Sequence, residues 1–412
     1  MNGSNYGTSG SLRNFVFWLH LTAGLIGGVV LLSMSCSGML LAFAPQITAW
    51  AERDVSLPRN HAGGSPLRPD SVFASATAAF PDARIESLVF TAHPGSAILI
   101  GFPKDRGGAF LDPYSGAVLG RTSRLRDYFL AVEHWHRWMG EAKRGEFLTH
   151  AAALSLIFLA LSGVYLWIPR RKGADALKRS LAPDWSLKGR AGERNMHMTF
   201  GIWSGAILLI IGLTGAVMGY RWAESLLYAI AGNGIGSNSG GGRKPPMESE
   251  AGSGFSPVAL DSLLQGAVER VPGWSTVTLR LPRKSGAPAN AMIEEAGWLG
   301  FPHRSRLSAD PETGAILAWE PYPGQSAGGK WRGWMEPLHT GRGFGILGQT
   351  VAALAAFSLG FLVWTGLSLG IRRVAERFVR PRKAVRPALP QSGSRQSVPG
   401  IPRNGYRPWK RK

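Results

Sequence analysis

The sequence predicts an all-α membrane bundle of four transmembrane helices in two tandem repeats, with two small α+β domains outside the membrane. Three observations predict it. First, four uncharged runs, Asn14–Ala51, Phe147–Pro169, Asn195–Tyr220 and Gly343–Ile371, are each long enough to cross a ~30 Å hydrocarbon core as helix, for which ~20 apolar residues suffice. Second, the chain repeats itself. An offset of 177 lays His20, Gly24, Gly28 and Ser37-Gly38 on His197, Gly201, Gly205 and Thr214-Gly215, and an offset of 203 lays His136 and Ser162-Gly163 on His339 and Thr365-Gly366. Third, charge is segregated. Segments 51–133 and 221–338 carry nine and eleven basic residues against equal numbers of acids, whereas 170–194 has eight against three and 372–412 thirteen against one.

In chain order, residues 1–50 are the N-terminus and the first helix. Ala42-Phe43-Ala44 mimics a signal-cleavage site, but Pro45 follows it and the apolar stretch far exceeds the ~7–15 residues of a signal core, so an uncleaved anchor is expected. Residues 51–133 form the first outside domain, with a helix over Ser71–Phe80, a strand over Ile85–Phe90 and a hairpin at Asp112-Pro113-Tyr114-Ser115-Gly116. Residues 134–170 are the second membrane helix, 171–193 a basic loop and 194–222 the third helix. Residues 223–336 form the second outside domain. Its helix is expected over Pro257–Val271, its strand over Thr276–Leu281 and its hairpin at Asp310-Pro311-Glu312-Thr313-Gly314. Its Gly232–Gly242 stretch fits no nucleotide-binding glycine pattern and reads as a linker. Residues 337–371 are the fourth helix, and 372–412 a basic, proline-rich disordered tail.

Four spans put both termini on one side, and the positive-inside rule makes that side cytoplasmic. Both domains are then extracytoplasmic, periplasmic in a Gram-negative cell. The tail directly follows a membrane helix and lacks a folded pattern, so it reads as a topology signal and not as a nucleic-acid site. The lone Cys36 allows neither an internal disulfide nor a cysteine metal cage.

Of nine histidines only His20/His197 and His136/His339 are reproduced by the repeat. Haem iron in an electron carrier takes axial ligands from opposite sides, and neutral imidazole is a common supplier. His20 and His197 open the outward-running helices, and His136 and His339 precede the inward-running ones. A pair at each face would hold one haem each. Gly24 and Gly201 follow their histidines by one turn, leaving room for a flat ring, although small-xxx-small helix packing explains them equally. Gly38 and Gly215 lie 18 residues beyond the inner histidines, about 27 Å along the helix, and are expected beside the outer haem. Gly163 and Gly366 are expected beside the inner one. Arg13, Arg194, Arg137 and Arg342 sit near the four ligands, as propionate partners or interface anchors. Trp135, Trp138, Trp331 and Trp334 read as an aromatic belt. His61, His93 and His303 read as surface residues, and His134 and His150 as reserve ligands.

This order of motifs resembles the PepSY-associated transmembrane family. The resemblance rests on His20, Ser37-Gly38, Asp112–Gly116, the His-Arg-Trp-Met-Gly stretch from His136 and the Ser-Gly-Val-Tyr-Leu-Trp stretch from Ser162, and covers about residues 12–373. It implies that the outside domains are PepSY-like. Some members of the family are inner-membrane ferric-siderophore reductases with b-type haem. That implies two b haems ligated by His20, His197, His136 and His339, with His134 an alternative to His136 because Pro337 stands at the matching place in the second copy. The expected function is a haem-dependent reductase of the bacterial inner membrane. A cytoplasmic or quinol donor feeds an extracytoplasmic acceptor, ferric iron in a siderophore, because reduction to Fe(II) weakens binding by hard oxygen ligands. A cofactor-free PepSY binding or regulatory protein is the rival. A transporter fits less well, since the two halves run in the same orientation and the four runs hold no charged residue.

Overall fold

The computed structural model describes residues 6–57, 64–103, 107–140, 142–168, 177, 181–233, 258–282 and 287–379. The Gly-rich stretch beyond Asn233, most of the basic loop, the tail beyond Val379 and His61 lie outside the described residues. Contact clustering divides the chain at Gly370. The second unit contributes only the last turns of the final helix to the described residues.

Four helices are long and apolar enough to cross a membrane, over Ser11–Leu41, Arg144–Trp167, Gly189–Gly219 and Arg342–Glu376. They belong to α1 (Tyr6–Leu41), α6 (Ala142–Trp167), α7 (Gly189–Gly219) and α11 (Gly345–Val379). Helix α6 packs on both α1 and α7. Helix α11 closes the bundle: Ser35 Oγ donates to the Ala356 carbonyl at 2.7 Å, and Phe200 lies 4.7 Å from Phe361 between ring centres. Leu31, Ala152, Leu156, Leu208, Ala355, Leu359 and Val363 form a buried layer at mid-height. Large apolar side chains such as Ile26, Val29, Leu161, Leu213 and Leu354 point outward, as helices in a lipid solvent require.

The apolar run at Asn14–Ala51 does not form one helix. Helix α1 ends at Leu41, and a short α2 (Ala44–Ala51) starts with Pro45 in its first turn; proline lacks the N–H that continuation would need. Helices α3 (Arg53–Ser56) and α4 (Pro69–Ala79) lead into strands β1 (Ser87–Thr91), β2 (Ile98–Gly101), β3 (Gly108–Leu111) and β4 (Val118–Arg121). The second half has α8 (Arg221–Ile230), α9 (Val258–Arg270), β5 (Trp274–Arg280), β6 (Ala289–Glu295), β7 (His303–Ala309) and β8 (Ile316–Glu320). In both hairpins the aspartate accepts from two backbone N–H groups, Asp112 from Tyr114 and Ser115 at 2.9 Å, Asp310 from Glu312 at 3.0 Å and Thr313 at 2.8 Å. Gly116 and Gly314 take φ of 72° and 70° there, where a side chain would be strained.

The expectation of two separate domains is corrected. All eight strands form one antiparallel sheet in the order β4-β3-β2-β1-β5-β6-β7-β8, with β1 and β5 paired from Ser87↔Arg280 to Thr91↔Thr276. One core joins the halves: Val72 and Ala76 of α4 and Leu260, Leu263 and Ala267 of α9 pack with Leu88, Ile100, Leu111, Val277, Leu279, Ile293 and Leu307 of the sheet. Alone, the halves would expose β1 and β5 as edges; pairing the two covers both and leaves only β4 and β8 at the edges of the sheet.

A second difference concerns the outer histidines. His136 is not on the second span but on a separate helix, α5 (Arg124–Trp138). The chain turns at Met139 and Gly140, with φ of 46° and 88°, before α6 begins. His339 likewise sits on α10 (Ala327–Thr340), which Gly341 ends in the left-handed conformation.

Candidate functional site

The four repeated histidines share one local arrangement. His20 Nδ1 lies 2.8 Å from Ser162 Oγ, His136 Nδ1 2.8 Å from Ser37 Oγ, His197 Nδ1 2.9 Å from Thr365 Oγ1 and His339 Nδ1 3.0 Å from Thr214 Oγ1. Each hydroxyl belongs to a Ser/Thr-Gly step on the helix opposite. The glycine of that step faces the same ring. A Cβ on Gly38, Gly163, Gly215 or Gly366 would lie 3.3, 3.6, 3.5 or 3.3 Å from Cε1 of His136, His20, His339 or His197. Each of these glycines therefore lies against the edge of the imidazole that its neighbouring hydroxyl meets.

The hydroxyls suit one tautomer. Ser162 donates to the Phe158 carbonyl at 2.6 Å, and Ser37, Thr214 and Thr365 each donate to the carbonyl four residues back at 2.8 Å. A hydroxyl has one proton. With the proton given to the carbonyl, each oxygen accepts from an Nδ1–H, the tautomer in which Nε2 keeps its lone pair. His339 makes the same point independently, because its Nδ1 also lies 3.0 Å from the Ile211 carbonyl, which cannot donate. Such an Nε2 is the atom a metal takes, and the hydroxyl is the outer partner that orients a ligating histidine.

The histidines fall at two levels. Ser162 and Thr365 lie late in α6 and α11, and His20 and His197 early in α1 and α7, so one pair marks the end remote from the sheet. His136 and His339 pack on the late turns of α1 and α7, at the sheet end. Among the described residues no three His, Cys, Asp or Glu gather as a metal cage; the arrangement offers two imidazoles per level.

The reserve candidates separate from these. His134 is exposed on α5, and the residue against Ser37 is His136. His150 packs beside Tyr220, 5.1 Å between ring centres. His303 stacks on Tyr322 at 4.1 Å, and His93 is exposed. Gly24 and Gly201 are not tight packing points: among the described residues a Cβ would meet a single atom, Leu159 Cδ2 at 3.9 Å or Leu362 Cδ2 at 3.7 Å. Of the arginines, Arg13 donates to the Leu166 and Ile168 carbonyls and so caps α6. Arg137 pairs with Glu133 at 3.3 Å and Arg342 with Glu336 at 3.2 Å, while Arg194 is exposed.

Ion pairs hold the outer histidine helices. Ser123 caps α5 by accepting from Arg126 N, and Glu52, 2% exposed, accepts from Ser123 N at 2.9 Å and Arg126 Nε at 2.8 Å. Burial alone would raise the Glu52 carboxyl; the Arg126 guanidinium and the Ser123 hydrogen bonds outweigh it and hold it below its ordinary value. In the second half Ser326 caps α10, and Arg332 on α10 pairs with Glu224 on α8 at 3.1 Å.

The functional residues that sequence reasoning missed are Ser37, Ser162, Thr214 and Thr365. They marked the repeat without being given a role, yet a hydroxyl kept in all four steps was the available signal. No curated protein matches the chain. The family model of the PepSY-associated TM region matches residues 17–373, which takes in all four histidines and all four Ser/Thr-Gly steps, and the chain therefore belongs to the PepSY-associated transmembrane family.

Proposed function

We propose that the chain is a di-haem b oxidoreductase of the bacterial cytoplasmic membrane, passing electrons from a cytoplasmic or quinol donor to an extracytoplasmic acceptor, ferric iron in a siderophore. The observation that carries this reading is the four-fold recurrence of one imidazole whose Nδ1 meets the hydroxyl of a Ser/Thr-Gly step on the facing helix. A histidine kept only for polarity at a membrane interface has no need of the same hydroxyl partner at every copy.

Haem b fits the residues present. His20 and His197 would hold one group at the end remote from the sheet, and His136 and His339 a second at the sheet end. Among the described residues Gly24 and Gly201, one turn from their histidines, are met only by the tips of Leu159 and Leu362, flexible side chains that can yield to a flat ring. When bound, haem supplies one-electron chemistry that no side chain here can supply. The chain's own residues do the rest. Ser162, Thr365, Ser37 and Thr214 keep the proton on Nδ1 and fix each ring plane. The apolar layer around Leu31, Leu208 and Leu359 excludes water and ions between the two levels. The two capped helices α5 and α10 hold the outer ligands beneath the sheet.

The charge pattern orients the molecule. With eight basic residues in 170–194 and thirteen in 372–412, both termini are cytoplasmic, and the sheet, each half of which we assign as a PepSY-like unit, is extracytoplasmic.

The test is the visible spectrum of detergent-purified variants. His197→Ala removes one low-spin b signal and His339→Ala the other, because ligands about 27 Å apart along a span cannot share an iron. Loss of the same signal from both variants contradicts the two-level assignment.

A further inference from the structure

The loop between β6 and β7 runs Ala296-Gly297-Trp298-Leu299-Gly300-Phe301-Pro302 and holds no charged residue, whereas the loop between β2 and β3, its counterpart in the first half, carries Lys104, Asp105 and Arg106. The connection between these strands therefore does not itself require apolar residues. Trp298 is 74% exposed and Leu299 53%. Leu299 also takes φ of 55°, a left-handed conformation that a bulky side chain rarely adopts. In water, two large apolar side chains held open in this way are unfavourable.

The loop lies where the fourth span begins. A Cβ on Gly300 would be 3.5 Å from the carbonyl oxygens of both Arg342 and Gly343. The Phe301 ring packs directly on Gly343, leaving no room there for a Cβ, and it meets Phe344 edge-on at 5.3 Å between ring centres. The span starts at Arg342, and Phe344, Ile346 and Leu347 in its first turns point outward. Trp298 and Leu299 thus continue the lipid-facing surface of that span, at the level where tryptophan is enriched in membrane proteins. Helix α8 repeats the pattern. It follows α7 after Tyr220 alone, and Trp222, Leu226 and Ile230 form an exposed apolar stripe along it, as in a helix lying in the interface plane.

We propose that the β6–β7 loop is a membrane anchor: Trp298 and Leu299 enter the lipid interface on the sheet side and seat the second half of the sheet on the bilayer. The partner is the lipid surface itself. Through Phe301 on Gly343 the anchor also steadies the corner at Gly341, where α10, the helix carrying His339, gives way to α11. The anchor does not depend on whether the histidines hold haem.

The test places one nitroxide spin label at a time on the full-length protein in phosphatidylcholine nanodiscs, in a Cys36→Ser background that removes the one native thiol. Trp298→Cys and Leu299→Cys carry labels in the loop, and Ala78→Cys, exposed on α4, is the reference. Power-saturation measurements compare collisions with oxygen, which partitions into lipid, and with a polar nickel chelate, which apolar surroundings exclude. The expected oxygen-to-nickel ratio at both loop positions is about fivefold or more above the reference. Loop labels as open to nickel as the reference overturn the proposal. Labels shielded from both reagents also overturn it, since a protein partner or a second copy then covers the loop. Because a label is itself apolar, a second measurement leaves the loop unlabelled: the tryptophan emission lost in Trp298→Phe is quenched by brominated lipid, and emission that brominated lipid leaves unquenched overturns the proposal.

Discussion

Replacing Ser162 with alanine isolates the role of one hydroxyl. Ser162 Oγ receives His20 Nδ1 at 2.8 Å and donates to Phe158 O. Alanine removes both bonds without adding volume, and it is the better helix former. The Phe158 carbonyl keeps its helical partner, so the main loss falls on His20. A neutral hydrogen bond is worth about 1 kcal/mol net, but removing one partner so that a buried imidazole N–H is left unpaired costs about 1–3 kcal/mol in all. The ring is then free to turn, or to move its proton to Nε2. Since 1.4 kcal/mol is a factor of ten, haem affinity at the level of His20 falls about 10- to 100-fold, the range found when outer partners of metal-bound histidines are removed. The assay is haem titration of haem-depleted protein, with the potential of each haem followed by redox titration. Ser358→Ala is the control, because Ser358 makes the same bond to the carbonyl four residues back, Leu354, but is half-buried and is not paired with any of the four histidines. If Ser162→Ala leaves the affinity and potential of the corresponding haem at the control's values, the tautomer argument is wrong.

Two further substitutions test other parts of the account. Gly366→Ala brings a Cβ to 3.3 Å from His197 Cε1, and Gly163→Ala to 3.6 Å from His20 Cε1, so the first displaces its ring and weakens haem retention in size-exclusion chromatography more than the second; the reverse order contradicts the close approach. Glu52→Gln leaves Arg126 short of its carboxylate and costs about 2 kcal/mol of stability, read as a lower melting temperature. Because the Glu52 carboxyl is held below its ordinary value of 4.5, its stabilisation is fully present above that value and is lost as pH falls through the lower, folded value. The difference in melting temperature between wild type and variant therefore shrinks in acid, and a difference that grows instead refutes the clamp.

How far the sequence carries depends on whether a feature is local. The four spans are legible because twenty apolar residues in lipid have few alternatives to a helix. The Asp-Pro-x-Ser/Thr-Gly turns are legible for the same kind of reason, since Asp112 and Gly116 act within five residues of each other. Pro45 and Gly140 hinted at the breaks before α2 and α6, yet the run of apolar residues concealed the first, and Met139 taking positive φ has no sequence signal. The β1–β5 pairing was not legible: it joins Ser87 to Arg280, and nothing near either residue chooses between pairing inside one copy and pairing across the two. Repetition exposed the four histidines. It exposed the four hydroxyls equally well, but only their packing against Nδ1 gives them a meaning, and that contact spans 99 to 168 residues of chain.

The central claim is that each histidine pair holds one haem b. The most direct measurement is the pyridine haemochrome content of full-length protein purified in detergent from haem-replete cells. The account predicts about two b-type haems per chain, low-spin in both oxidation states and extractable into acid acetone, because no Cys-x-x-Cys-His motif attaches them. A folded, colourless protein contradicts it.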